Sequence, residues 1–272
     1  MTLFGSNKQP VRRIDLCYGR CGCAKAANCD TYTAQFMRRM VGRYVGGGST
    51  FRRQLESAVI DLRGFDFDQY MSRVSEIHKG AARRQARKAD RQGYACKQFV
   101  WNNFLPDIVE INTSMEVRSG GVMRRPYRRT VEQLGGLPRK SVPLRDPACP
   151  VHCTYGWGIF EPRPGYHQGD VNTDEKLLAY IKVKRQGSLG IYTSILGHGD
   201  YLKFGIMYRL HYAIMEWIGE NLDDRLRGLD SLMYGAPESG GSGLSMWKKR
   251  CLFQGAYLVL AEQPAAAPAG SS

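Results

Sequence analysis

Glu116-Val117-Arg118 runs into Ser119-Gly120-Gly121, so a carboxylate and a guanidinium stand two residues apart beside paired glycines. That pattern suits a loop closing over a substrate, with Glu116 as general base and Arg118 holding a carboxylate or phosphate. The same residues would also make a glycine-stopped helix end with a local ion pair. A second chemistry lies in Cys17, Cys21, Cys23 and Cys29. Thiolates this dense can bind zinc or an iron–sulfur cluster, although their spacing matches neither paired CxxC ligation nor a standard cluster motif. Cys149-Pro150-Val151-His152-Cys153 offers further ligands. A third candidate is His198, followed by Gly199 and Asp200; its imidazole could act as a base near neutral pH or cap a backbone group. His211 sits in an apolar stripe and reads as a core histidine.

Arg84, Lys88 and Arg91 share one helical stripe, with Arg83 and Arg87 beside them and only Asp90 as an interrupting acid. Such a face can follow a nucleic-acid or nucleotide backbone, or can simply be solvated. The formal net charge of +14 and pI near 9.5 favour a polyanionic partner: tRNA, other nucleic acid, or the phosphates of a cofactor. Hydrophobic residues at 43% and charged residues at 24% exclude whole-chain disorder. No stretch approaches the roughly 20 apolar residues of a membrane span, and no apolar run follows the basic N-terminal residues, so a cytoplasmic location is expected. The oligomeric state is open at this level.

These groups need elements to position them. Residues 1–50 read as a basic, cysteine-containing appendage ending in a flexible joint, Gly46-Gly47-Gly48-Ser49, and residues 263–272 as a disordered tail. Between them, residues 51–262 form one domain. Patterning predicts strands at 58–62 and 94–99 around one long helix over 67–92, then helices at 106–117 and 123–134. A proline-rich loop leads to strands at 154–160, 177–184 and 189–196, the last two a hairpin turned by Gln186-Gly187-Ser188. In the middle strand Ala179, Ile181 and Val183 face one way, and Tyr180, Lys182 and Lys184 the other. A strongly apolar helix over 203–220, a strand at 229–234, a helix at 244–251 and a strand at 256–260 complete the run. The expected class is α/β (α+β), with a mixed, largely antiparallel central sheet flanked by helices.

Three segments give residues 94–260 a family likeness. They are the basic helix over 79–93 leading into a strand, Leu178-Ala-Tyr-Ile-Lys-Val183 followed by Ile191-Tyr-Thr-Ser-Ile-Leu-Gly-His-Gly-Asp200, and Tyr234-Gly235 with Gly243-Leu244, Trp247-Lys248-Lys249-Arg250 and Phe253. In order and spacing they resemble the GNAT superfamily of acyltransferases, nearest to its FemAB-like branch. The resemblance implies transfer of an acyl group from acyl-coenzyme A or aminoacyl-tRNA to an amine or hydroxyl. It implies a fourth strand that splays from the fifth, and a donor loop over 197–205 containing Gly197, Gly199, Lys203 and Gly205. Tyr234 would then protonate the leaving group, and Lys248 would meet donor phosphate or a developing oxyanion. The loop departs from the usual coenzyme A signature in its glycine spacing and in Asp200, a departure shared with the branch that uses aminoacyl-tRNA. The alternative is a nucleic-acid-binding protein with a catalytically silent core of this type, of phage or mobile-element origin, with the cysteines as a metal module.

Overall fold

The computed structural model describes residues 12–17, 21, 23–43, 56–118 and 121–260. The expected joint at 46–49 and tail at 263–272 lie outside the described residues. In chain order the elements are β1 (Arg12–Leu16), α1 (Ala26–Arg43), β2 (Ser57–Asp61), α2 (Phe67–Glu76), α3 (Ala81–Arg91), β3 (Ala95–Gln98) and α4 (Leu105–Thr113). Two small ladders follow, β4 (Val117–Arg118) with β5 (Gly121–Val122), and, after β6 (His152–Pro162), β7 (His167–Gln168) with β8 (Val171–Asn172). The chain ends with β9 (Glu175–Gln186), β10 (Leu189–Gly197), α5 (Ile206–Asn221), β11 (Ser231–Met233), α6 (Gly241–Arg250) and β12 (Gln254–Leu260).

Eight strands form the main sheet in the order β1-β12-β2-β11-β10-β9-β6-β3, parallel only at β1–β12 and β10–β11. The protein is therefore a mixed α/β fold with a large, mostly antiparallel sheet flanked by helices. Strand alternation sorts the faces. Ala179, Ile181 and Val183 join one core with residues of α2, α3, α5 and α6. Tyr180 and Leu177 point into a second core under α4, while Leu189, Ile191 and Met233 meet α1 in a third. Residues 12–43, expected as part of an appendage, contribute the edge strand and a helix on this second face. No helix among the described residues is long and apolar enough to cross a membrane.

Local chemistry sets the differences from expectation. The long helix over 67–92 breaks in two, because His78 and Lys79 take left-handed φ of 47° and 54° before Gly80 restarts the chain as α3. Asp66 caps α2 by accepting the Gln69 N–H at 2.7 Å. Residues 123–134 do not form a helix. They hold two short 3₁₀ turns, Arg125–Tyr127 and Glu132–Leu134, because Pro126 lacks an N–H and disfavours helical backbone before it, although Met123, Tyr127, Val131 and Leu134 still pack against the core. α3 buries only alanines, Ala82, Ala86 and Ala89, which brings its backbone close to the start of α5. A Cβ on Gly205 would stand 2.1 Å from the Gln85 carbonyl oxygen, and its φ is +72°.

His211 of α5 is fully buried between two tyrosines. The Tyr70 hydroxyl donates to the Cys251 carbonyl at 3.0 Å, so it accepts from His211 Nε2–H at 2.9 Å. Nδ1 then accepts from the Tyr192 hydroxyl at 2.9 Å, which fixes a neutral imidazole. Burial pushes its pKa down from 6.5 to about 3. In acid, the unfolded chain takes up a proton that the folded chain refuses. The stability held by neutral His211 is thus complete above pH 6.5 and drains as pH falls towards about 3, with a slope of up to ~1.4 kcal/mol per pH unit. Urea unfolding followed through that window should show a steeper acid dependence for the wild type than for His211→Gln, by up to about one proton.

Candidate active-site cleft

β10 pairs with β11 only from Leu189 to Ile191, opposite Ser231 to Met233. Its pairing with β9 then shifts register between Tyr192 and Ser194, a bulge that bends the strand just where it leaves β11. The strands part there, and a cavity of about 410 Å³ opens between them. Thr193, Ile195 and Gly197 of β10 form one wall and Tyr234, just past β11, the other. Met207 of α5 and Leu244 and Trp247 of α6 supply an apolar floor, and the 118–127 segment contributes Arg118, Arg124 and Tyr127. The fourth and fifth strands of the expected transferase core are β10 and β11, and they diverge as the resemblance implies.

Several groups lining this cleft have bonding capacity to spare, the Trp247 indole N–H among them, and two of these bear on the chemistry. Arg118 is half-buried; Nη1 donates to the Gly197 carbonyl at 2.9 Å, and Nη2 to the Ile111 carbonyl at 2.8 Å and to Ser114 Oγ at 3.1 Å. Its Nε–H is buried without a partner, and no carboxylate pairs with it among the described residues. Desolvation lowers its pKa, yet a guanidinium stays charged at neutral pH. Tyr234 lies against Tyr192, Trp247 and Phe253, and its hydroxyl meets no partner among the described residues. Burial raises its pKa, so the phenol keeps its proton and can donate but not accept one at neutral pH. No Asp, Glu or His lines the cleft among the described residues.

Several expected site residues are placed elsewhere. Glu116 is exposed beside the β4–β5 ladder, its carbonyl accepting from the Met123 N–H at 3.0 Å, and does not line the cleft. His198 is buried outside the cleft. Its Nδ1 accepts from the Asp200 N–H at 3.3 Å, so the proton sits on Nε2, 3.1 Å from Glu110, which also binds Lys176 at 2.6 Å. This histidine anchors the loop. Gly199 donates to Ser114 Oγ at 3.0 Å, and a Cβ there would press on Met115 at 2.7 Å. Gly205 serves the contact with α3, and Lys203 is exposed. Lys248, expected near donor phosphate, is buried. All three of its protons go to the turn after β11: Ala236 O at 2.6 Å, Ser239 O at 3.0 Å and Ser239 Oγ at 2.8 Å.

Arg83, Arg84, Arg87, Lys88 and Arg91 are all exposed on α3. Arg83 and Arg84 bond to Ser75 and the Lys79 carbonyl, while Arg87, Lys88 and Arg91 carry no partner among the described residues. Of the cysteines, Cys17 stands apart at the end of β1, its N–H on Ser188 Oγ at 2.8 Å. Cys21, Cys23 and Cys29 do gather, with sulfur separations of 3.5 and 3.6 Å. Sequence reasoning missed Ser114, Tyr127, Met207 and Trp247, whose roles depend on contacts made across the fold.

No family model matches the chain, and no curated protein does. Solved structures similar to it include the C-terminal domain of a putative lysylphosphatidylglycerol synthetase from Agrobacterium fabrum, at 14% identity and TM-score 0.37, and L-PGS from Bacillus licheniformis, at 14% and 0.41. Each alignment covers 74% of this chain and 57% of the other, so the chain spans a little over half the length of those proteins. FemX is also similar, at 11% identity and TM-score 0.48 over 86% of this chain and 68% of that one.

The bonding of Lys248 makes a prediction that separates two roles. Lys248→Met strands two carbonyls in the turn after β11 and should lower stability by about 1–3 kcal/mol, read as a fall in the urea midpoint. The variant's affinity for any acyl donor should hold once it is folded; a selective loss of donor affinity at unchanged stability would place the ammonium in the donor site.

Proposed function

We propose that the chain is an acyl- or aminoacyltransferase that moves an acyl group to an amine or hydroxyl, with the reacting carbonyl held in the cleft between β10 and β11. The observation that carries this reading is the parting of those strands beside a phenol and a guanidinium that both have unused donors. The apolar floor suits an acyl chain or side chain, and Arg118 suits the carbonyl oxygen as it becomes negative. Nucleophilic attack forms the new C–N or C–O bond, and collapse of the tetrahedral adduct breaks the bond to the leaving group. Tyr234 gives its proton to the departing oxygen and regains one, through water, from the attacking group. With no carboxylate or imidazole lining the cleft among the described residues, water is the outlet this geometry offers.

Two features favour aminoacyl-tRNA over acyl-coenzyme A as donor. The loop over 197–205 spends its N–H groups internally: Gly199 on Ser114, Asp200 and Tyr201 on His198, and Gly205 on Leu202. That leaves little of the backbone cradle a pyrophosphate requires. A phenol of raised pKa is also better matched to an alkoxide leaving group than to a thiolate, which leaves without protonation. The exposed cations of α3, which packs beside that loop, and Arg125, Arg128 and Arg129 beyond the cleft provide charge for a polyanionic donor.

A mass-spectrometric screen with charged tRNA and acyl-coenzyme A, followed by acceptor amines, tests the reading. Transfer from charged tRNA is expected; salt-sensitive binding of tRNA with no transfer from either donor would favour a silent core that only binds nucleic acid. Tyr234→Phe should slow turnover about 100- to 10,000-fold at an unchanged unfolding temperature. The triple reversal Arg84→Glu, Lys88→Glu and Arg91→Glu should abolish salt-sensitive tRNA binding, checked by titration across ionic strength.

A further inference from the structure

Far from the cleft in sequence and function, Cys21, Cys29, Cys149 and His152 bring three sulfurs and an imidazole nitrogen within 4.8 Å of one another. They come from three places: the segment before α1, the first turn of α1, and the loop entering β6. Cys149 and His152 are separated by two residues, and their Sγ and Nδ1 atoms lie 3.6 Å apart. The His152 backbone N–H donates to Cys149 Sγ at 3.3 Å, which stabilises a sulfur carrying negative charge. Around a single tetrahedral zinc, with Zn–S near 2.3 Å, ligand atoms stand about 3.6–3.8 Å from each other. Cys149 and His152 are already at that spacing, and the four ligand atoms all lie within 4.8 Å of one another. An iron–sulfur cluster would hold its ligand sulfurs much farther apart.

A second, independent observation points the same way. Arg185 is 3% exposed, yet forms no ion pair among the described residues. Its guanidinium is spent on carbonyl oxygens: Gly187 at 3.1 Å, Arg225 at 3.2 Å, Arg227 at 2.5 Å and Pro150 at 3.1 Å. Pro150 lies between Cys149 and His152, so a buried positive charge abuts the thiol group, with Asp230 near enough to act on it electrostatically but not paired with it. A buried charge without a counter-charge is costly. Three thiolates and a neutral imidazole on a divalent cation carry one net negative charge, which would sit directly against this guanidinium and complement it.

We propose that Cys21, Cys29, Cys149 and His152 bind one Zn²⁺ as a closed structural site. Binding releases three thiol protons to solvent and oxidises nothing. The site fastens the segment ahead of α1 to the start of β6, across more than a hundred residues of sequence. Cys23, whose sulfur lies 3.5 Å from that of Cys21 and 3.6 Å from that of Cys29, sits outside the coordination shell and hydrogen-bonds to the thiolates. Cys17 takes no part.

The test uses the full chain purified in reducing buffer from zinc-supplemented medium, with zinc counted by elemental and native mass spectrometry. One zinc per chain is expected. Replacement by Co²⁺ should give the intense visible bands of tetrahedral cobalt with a thiolate charge-transfer band. Cys29→Ser and Cys149→Ser should weaken zinc binding by at least about tenfold, while Cys17→Ser, Cys23→Ser and Cys96→Ser retain it. If the serine variants fail to fold, His152→Cys still decides, because a fourth thiolate keeps the zinc and strengthens the cobalt charge-transfer band. Zinc-free wild-type protein that also gives no tetrahedral cobalt spectrum would overturn the site. Zinc lost from Cys23→Ser but kept in His152→Ala would overturn this ligand set.

Discussion

β10 is held by neighbours on both edges over Leu189–Ile191 and by β9 alone for the rest of its length. A strand that loses one partner inside a sheet leaves backbone polar groups to be satisfied by other means. Here the bulge after Tyr192 turns β10 away, and the Arg118 guanidinium comes in to bond the Gly197 carbonyl. The cleft is the space that this substitution of a side chain for a strand creates. The position of α5, the packing of Met207 and Leu202, and the contact between Gly205 and α3 all follow from where β10 is released.

The polar residues around that space divide by how completely they are bonded. His198, Lys248, Ser114 and His211 have their capacity taken up by fixed partners, and the loops they hold have little freedom. Arg118, Trp247 and Tyr234 each keep a donor without a partner among the described residues, and all three line the cavity. A buried donor left open costs about 1–3 kcal/mol, and a ligand in the cleft could recover that cost. Chemical type alone would have ranked a histidine and a lysine above a tyrosine. Bonding ranks them in the opposite order.

Much of the architecture was legible in the sequence because it is written in short-range patterns. The alternation of Ala179, Ile181 and Val183 placed β9, and the stripe from Met207 to Ile218 placed α5. Tyr234 and the divergence of two strands came from motif order. What could not be read depends on contacts between distant residues. Nothing near His198 announces that Glu110 and Lys176 will enclose it, and although Cys149 and His152 stood out as further ligands, nothing in the sequence says which of the N-terminal cysteines they meet. The helix expected over 123–134 failed for a local reason: Pro126 interrupts it, and its apolar residues Met123, Tyr127, Val131 and Leu134 reach the core from short turns instead. The break at His78 and Lys79 was hidden because both residues are tolerated in helices, and only the packing of α2 and α3 on separate parts of α5 demands it.

The sheet places β1 beside β12, in register from Arg12 opposite Ala256 to Leu16 opposite Leu260. It also slots β2 between β11 and β12, although β2 is made long before either. On a ribosome, both early strands must therefore wait, unpaired, until nearly all of the chain described here has emerged. Local helices and the β9–β10 hairpin can form as they appear, but the half of the sheet that contains β1, β2, β11 and β12 closes in a single late event. During that interval the apolar edges Ile14, Leu16, Val59 and Ile60 are exposed, which leaves the nascent chain open to pairing with other chains.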